Sequence, residues 1–199
     1  MHISNTPPLW KRVWQLLERA AAAGDGDFAF PVVATVGSEL SAPRGRVVVL
    51  RKVDPDAATL DFYTDRRSLK IEQLTSNPEI AWTFWDADSR LQCCAGGKSR
   101  MIVDDTRKGV FDRLPKHSRR AYATVHAPGT ILDAPSAGLP VNWEDLDLPD
   151  TDYALDNFVI VRTELAWVDI LHLERAGNTR LAATRKVAED AWTFTYVVP

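Results

Sequence analysis

The chain has 199 residues, 45% of them hydrophobic and 26% charged, with a formal net charge of −3. That is enough chain for one domain with its own core and no disulfide staples. The charge balance gives no bulk attraction to nucleic acid or an anionic membrane, so any anion site must be a local cluster of Arg and Lys.

From Leu9 to Ala23 the pattern is helical: Leu9, Val13, Leu16, Leu17 and Ala20 share one face. Pro7-Pro8 precede this helix and Gly24-Asp25-Gly26 end it. The N-terminus lacks a basic region followed by an apolar run, and no stretch approaches a membrane span, so a cytoplasmic location is expected. Phe28–Val36 reads as a strand, followed by a loop over Gly37–Pro43. Arg46–Val53 is the next strand, Asp54-Pro55-Asp56 a turn, and Thr59–Thr64 a third strand. Such short links imply an antiparallel meander. Asp65 is the expected N-cap of a short helix that ends near Thr75, before Asn77-Pro78.

Ile80–Trp85 is a strand, and Arg90–Val103 a longer one in which Gly96-Gly97 mark a bulge or bend. Helices are expected over Asp104–Arg113 and His117–Val125. The stretch 127–152, rich in Pro, Gly and Asp, reads as a long loop. Phe158–Arg162, Ala166–Leu173, Thr179–Thr184 and Trp192–Val198 complete the sheet. The sum is roughly eight strands and three or four helices with no βαβ rhythm. The expected fold is mainly β with peripheral helices: one domain over 1–199, an antiparallel barrel preceded by a helical segment over 1–26.

One run carries chemistry. Arg46 and Arg51 bracket a β-branched strand, Tyr63-Thr64 end another, and Ser68 and Lys70 open a helix. A phosphate needs N–H donors and positive charge, which a helix start with Thr64, Ser68 and Lys70 can supply. Asp65 is a neighbour of the wrong sign there unless capping turns its carboxylate away. Arg46 and Arg51 fall on opposite faces of an ideal strand, so they serve one ligand only where the strand ends, twists or bulges between them. The same pair also fits two solvated strand-end arginines. Gln92 offers an amide to a heteroaromatic edge; it equally fits a surface position, as Tyr63 fits the core.

Cys93 and Cys94 are adjacent, poorly placed to bridge each other and without partners at metal-ligand spacing. They read as small strand residues in a reducing compartment. The four histidines are scattered, so no metal site is expected. Seven tryptophans read as core and interface, with Trp143 in the long loop the one placed to cover a ligand or partner. The acidic run Asp145, Asp147, Asp150 and Asp152 reads as a solvated face.

The joint spacing of Arg46–Arg51, Tyr63-Thr64, Ser68-Leu69-Lys70, Asn77-Pro78 and Arg90-Leu91-Gln92 resembles the pyridoxamine 5'-phosphate oxidase-like proteins, a family with an FMN-binding split β-barrel. The resemblance runs from about residue 28, strongest over 44–97. It implies FMN as cofactor, with Arg46, Lys70, Thr64 and Ser68 on the phosphate. It also implies Val47, Val48 and Arg51 beside the ring and ribityl chain, and Gln92 reaching the flavin. It further implies a homodimer with FMN between subunits, the loop at Pro128-Gly129-Thr130 coming from the partner. Leu69 stands where the family has Arg. Arg180 matches a substrate-binding Arg of the oxidases, whereas Ala182 and Thr184 stand where they carry His and Arg. The pattern therefore resembles an uncharacterised branch rather than the oxidase itself. Three readings follow: an FMN-dependent oxidoreductase on a small molecule, a flavin- or haem-type binding protein without turnover, and a structural dimer that has lost FMN.

Overall fold

The computed structural model describes residues 6–37, 42–185 and 191–199. Residues 38–41 of the expected Gly37–Pro43 loop, and His2, lie outside the described residues. Nine strands form one antiparallel sheet: β1 Val32–Thr35, β2 Arg44–Val47, β3 Leu50–Asp54, β4 Thr59–Asp65, β5 Glu79–Asp86, β6 Leu91–Ile102, β7 Phe158–His172, β8 Thr179–Arg185 and β9 Trp192–Val197. The helices are α1 Pro8–Ala23, α2 Leu69–Ser76, α3 Asp105–Phe111 and α4 Lys116–Arg119.

The sheet order is β2-β1-β5-β6-β7-β4-β3, with β8 and β9 continuing from β7. β2 and β3 stand at the two ends of this path, yet only Val48 and Val49 separate them in sequence. Six strand spacings laid flat would span roughly 29 Å. Three Cα steps reach about 11 Å. The sheet must therefore curl until its ends meet, which makes it a half-barrel. This also corrects the expected Arg46–Val53 strand. The chain breaks at Val48, whose N–H donates to Pro31 O at 3.0 Å, and changes partner from β1 to β4.

The expected Phe28–Val36 strand is shorter than its apolar run. Asp27–Ala29 form a 3-10 turn that seats Phe28 on Phe84, and Pro31, which lacks a ladder donor, delays the strand to Val32. β7 joins the two segments expected as separate strands. Its first half pairs β4 and its second half pairs β8, while β6 runs alongside both. The bulge expected at Gly96-Gly97 has its extra residue on the partner strand. Gly96 faces Trp167, Gly97 faces Leu165, and Ala166 is left over. A Cβ on Gly97 would lie 2.1 Å from Glu164 O, so the crossing requires glycine.

The main core fills the curl with Phe62, Trp82, Phe84, Leu91, Ile170 and Leu181. Trp82 donates its indole N–H to Thr163 Oγ1 at 3.0 Å, which satisfies a buried donor. α1 presents Trp10, Val13, Trp14 and Leu17 to this core and stops where Gly24 takes a left-handed φ of 70°. Trp10 packs at a tilt against Trp192 and edge-on against Phe194 of β9.

Between β6 and β7 the chain builds a second core from Phe111, Tyr122, Trp143, Ala154, Phe158 and Ile160. Arg119, 2% exposed, organises it. Its guanidinium donates to Phe111 O, Leu114 O, Leu148 O, Thr151 Oγ1 and Asp152 Oδ1, and lies 4.2 Å from the Phe111 ring centroid. The helix expected over His117–Val125 is only the turn Lys116–Arg119, because Arg119 faces inward rather than along a solvated helix surface. Trp143 lies in this core with Lys116 over its ring, so it is packed rather than held ready over a ligand.

Candidate functional site

The corner where β2 meets α2 gathers two cations. Arg46 faces the same side of the sheet as Thr35, and its Nη1 donates to Thr35 Oγ1 at 2.6 Å. Its Nη2 donates to Gln73 Oε1 at 3.2 Å, an oxygen that also accepts from Thr35 Oγ1 at 2.6 Å. Lys70 Nζ donates to Thr64 Oγ1 at 2.9 Å and to Ser68 Oγ at 3.1 Å. Burial, and then the neighbouring Arg46 charge, hold the Lys70 ammonium below the usual lysine range; Asp65 opposes this. Burial, and then Arg44, lower Arg46 likewise. Among the described residues neither cation has a carboxylate partner. Two half-buried cations beside hydroxyls, with N–H donors to spare, make a receptor for an anion.

Local sequence explains the geometry. Asp65 ends β4 instead of capping α2, and its carboxylate accepts the Arg67 backbone N–H at 2.8 Å. Ser68 holds the N-cap position with its backbone alone, so its hydroxyl is left for Lys70. The wrong-sign carboxylate is thus turned from Lys70 toward Arg67. A cleft of about 340 Å³ opens over the pair, lined by Arg44, Gly45, Arg46, Ser68, Leu69, Lys70, Pro128 and Gly129. Pro128 and Gly129 of this same chain line the cleft. Gly129 has φ 94° in a turn closed by Thr130 N–H to Ala127 O at 3.1 Å.

Arg46, Thr64, Ser68, Leu69 and Lys70 therefore converge. The others go elsewhere. Val48 is buried. Arg51 sits at a register shift in β3, its guanidinium 5.6 Å from the Tyr63 ring centroid. Tyr63 packs on Phe158, and burial, then Asp61, raise its phenol pKa. Val47, Gln92 and Arg180 share the opposite face of the sheet, as the pairings Val47↔Val32, Val32↔Thr83, Thr83↔Cys94 and Asp169↔Ala182 require. Gln92 Nε2 points at Cys94 Sγ, 3.5 Å away. Arg180 Nε donates to both carboxylate oxygens of Asp169, at 3.0 and 3.1 Å. β2 has no strand on its outer edge among the described residues, so the two faces communicate around it.

Sequence reasoning missed Thr35, Gln73 and Arg44. Gln73 carries a readable signal: it falls between Ile71 and Leu74 on the buried side of α2, where an amide needs a partner.

Residues 9–103 match the family model described as pyridoxamine 5'-phosphate oxidase, FMN-binding domain. A pyridoxine/pyridoxamine 5'-phosphate oxidase from Microcystis aeruginosa is 31% identical over 53% of this chain and 48% of its own length. The corresponding protein 2 of Arabidopsis thaliana is 26% identical over 84% of this chain and 85% of its own. The chain spans about half the length of the first of these relatives. Among solved structures, a pyridoxamine 5'-phosphate oxidase-related, FMN binding protein from Nostoc punctiforme aligns with TM-score 0.77 at 20% identity, over 98% of this chain and 100% of that one. PhzG from Burkholderia lata, in complex with tetrahydrophenazine-1-carboxylic acid, aligns with TM-score 0.72 at 14% identity over 99% of each chain. Residues 9–103 thus match the FMN-binding domain model of the pyridoxamine 5'-phosphate oxidases, and the described chain shares the split-barrel fold of these solved structures, at low identity to the oxidases themselves.

Proposed function

We propose that this chain binds FMN and acts as an oxidoreductase on a small molecule, as a homodimer in the cytoplasm. The observation that carries the reading is the Arg46–Lys70 pair, two half-buried cations held by hydroxyls and an amide and, among the described residues, in salt-bridge contact with no carboxylate. The donor set fits a phosphate monoester. Val47, 62% exposed, and Gln92 lie around the free edge of β2 from that pair, and offer an apolar contact and an amide to a flat ring. Bound FMN would supply the electron transfer; this chain's residues would bind and orient it and set the field around it.

The same sheet face exposes Val32, Val47, Trp85, Trp167 and Val197, an apolar surface suited to a second copy. Free Cys93 and Cys94 suit a reducing compartment. No helix among the described residues is long and apolar enough to cross a membrane. The substrate is not pyridoxamine phosphate in this reading, because Arg180 is neutralised by Asp169, while Ala182 and Thr184 offer no imidazole or guanidinium.

The visible spectrum of the purified protein tests the proposal. Flavin bands that bleach with a donor support it. Bound flavin that no donor bleaches leaves a binding protein without turnover. A colourless protein that takes up no added FMN overturns both.

A further inference from the structure

Among the described residues, the Asp65 carboxylate acts on Lys70, and its side chain is 3% exposed. A buried carboxylate beside a phosphate cradle competes with the ligand for the cradle's cations and repels its charge. Arg67 answers it at short range. Its Nε donates to Asp65 Oδ1 at 3.0 Å and its Nη2 to Oδ2 at 2.6 Å, a two-point pairing added to the backbone N–H bond.

The same Nη2 reaches further, to Thr124 O and Thr124 Oγ1, both at 3.0 Å. Thr124 Oγ1 in turn donates to His126 O at 2.9 Å, immediately before the turn Ala127–Thr130 whose Pro128 and Gly129 wall the cleft. One guanidinium thus neutralises the carboxylate next to Thr64 and anchors the stem of the turn whose Pro128 and Gly129 line the cleft. None of its bonds points into the cleft, so it acts through its neighbours.

We propose that Arg67 is a positioning residue for the phosphate cradle: it locks the Asp65 carboxylate away from Lys70 and fixes the Pro128–Gly129 wall against the Arg46–Lys70 pair. The proposal rests on reading the cleft as a phosphate site. Arg67 would then govern the affinity of the phosphorylated ligand while contributing little to the ring's own binding.

The experiment compares binding of FMN and of riboflavin, which lacks the phosphate, by flavin fluorescence on the full chain. The variants are Arg67→Lys, Arg67→Gln, Lys70→Ala and the double Asp65→Asn/Arg67→Gln. The double variant carries no buried charge at this point and keeps the test open should Arg67→Gln fold poorly. Arg67→Gln is expected to weaken FMN about tenfold and riboflavin less than about twofold, with Arg67→Lys intermediate. The double variant is expected to recover at least about threefold of that loss, the part due to the carboxylate. Wild-type FMN affinity in Arg67→Gln, with Lys70→Ala still impaired, overturns the role of Arg67 alone. An equal loss for FMN and riboflavin overturns it too, because Arg67 would then serve only to hold the fold. A double variant no better than wild type minus the whole tenfold overturns the electrostatic half. If wild-type protein binds no FMN, or Lys70→Ala binds it normally, the phosphate reading itself fails and the role of Arg67 falls with it.

Discussion

The β2–α2 corner and the β6–β7 connection treat cations in opposite ways. In the connection, Arg119 is buried deeper than any cation of the corner, yet every direction it points holds a carbonyl, a hydroxyl or a carboxylate. In the corner, burial and then the Arg46 charge lower the Lys70 ammonium, and both side chains hydrogen-bond only to neutral oxygens. A satisfied buried arginine holds structure together; an unbalanced pair stores an affinity for something negative. Arg180, tied to Asp169, belongs with Arg119 in kind although it lies at the surface.

The largest effect expected from breaking this contrast is on stability. Arg119→Met strands five acceptors and is expected to cost about 3–5 kcal/mol, read in urea denaturation. A loss under about 1 kcal/mol would remove Arg119 from the structural class. Next comes Lys70→Met, which should weaken FMN about ten- to a hundredfold while leaving the ligand-free protein at least as stable as wild type. A fall in both would make Lys70 one more structural cation.

Acidity sharpens the same point. The folded Lys70 pKa is lowered, so between that value and the ordinary one the unfolded chain holds more protons. Ligand-free stability should therefore rise with pH through this window, and FMN affinity should fall in it as the ammonium deprotonates. Lys70→Met should abolish both slopes; slopes that survive in it would belong to another group. Smaller again is Thr35→Val, which frees Arg46 Nη1 and should weaken FMN about threefold to tenfold without loss of fold. Smallest is Arg180→Ala, expected within about twofold of wild type for FMN because the pair it breaks is half exposed. An effect as large as that of Lys70→Met would move the phosphate to the other face of the sheet.

Much of this was legible in the chain. Val13, Leu17 and Ala20 of the α1 face (though not its Trp10 and Trp14), the bounds of β4 and β6, and the meeting of Thr64, Ser68 and Lys70 follow from patterns within a few residues. What escaped depends on distant partners. Arg46-Val-Val-Val-Leu-Arg51 is uniformly β-branched, and nothing local marks Val48 as the place where the strand changes neighbours. Arg119 stands in the basic run Lys116–Arg120 and reads as solvated, because the carbonyls that surround it come from as far away as Leu148. Gly96-Gly97 announced a distortion without saying that Ala166, seventy residues on, would carry it.

The two-residue step at Val48-Val49 also divides the chain into parts that can and cannot change length. An insertion there would pull the ends of the sheet apart and carry Arg46 away from Lys70 with them. The linker from Val103 to Asn157 joins strands already paired from Leu91–His172 to Ile102–Ile160, so the stretches outside its own small core can change length while the sheet stays closed. New specificity has room to arise in that linker, beside a pair of cations whose spacing is set by a seam only two residues long.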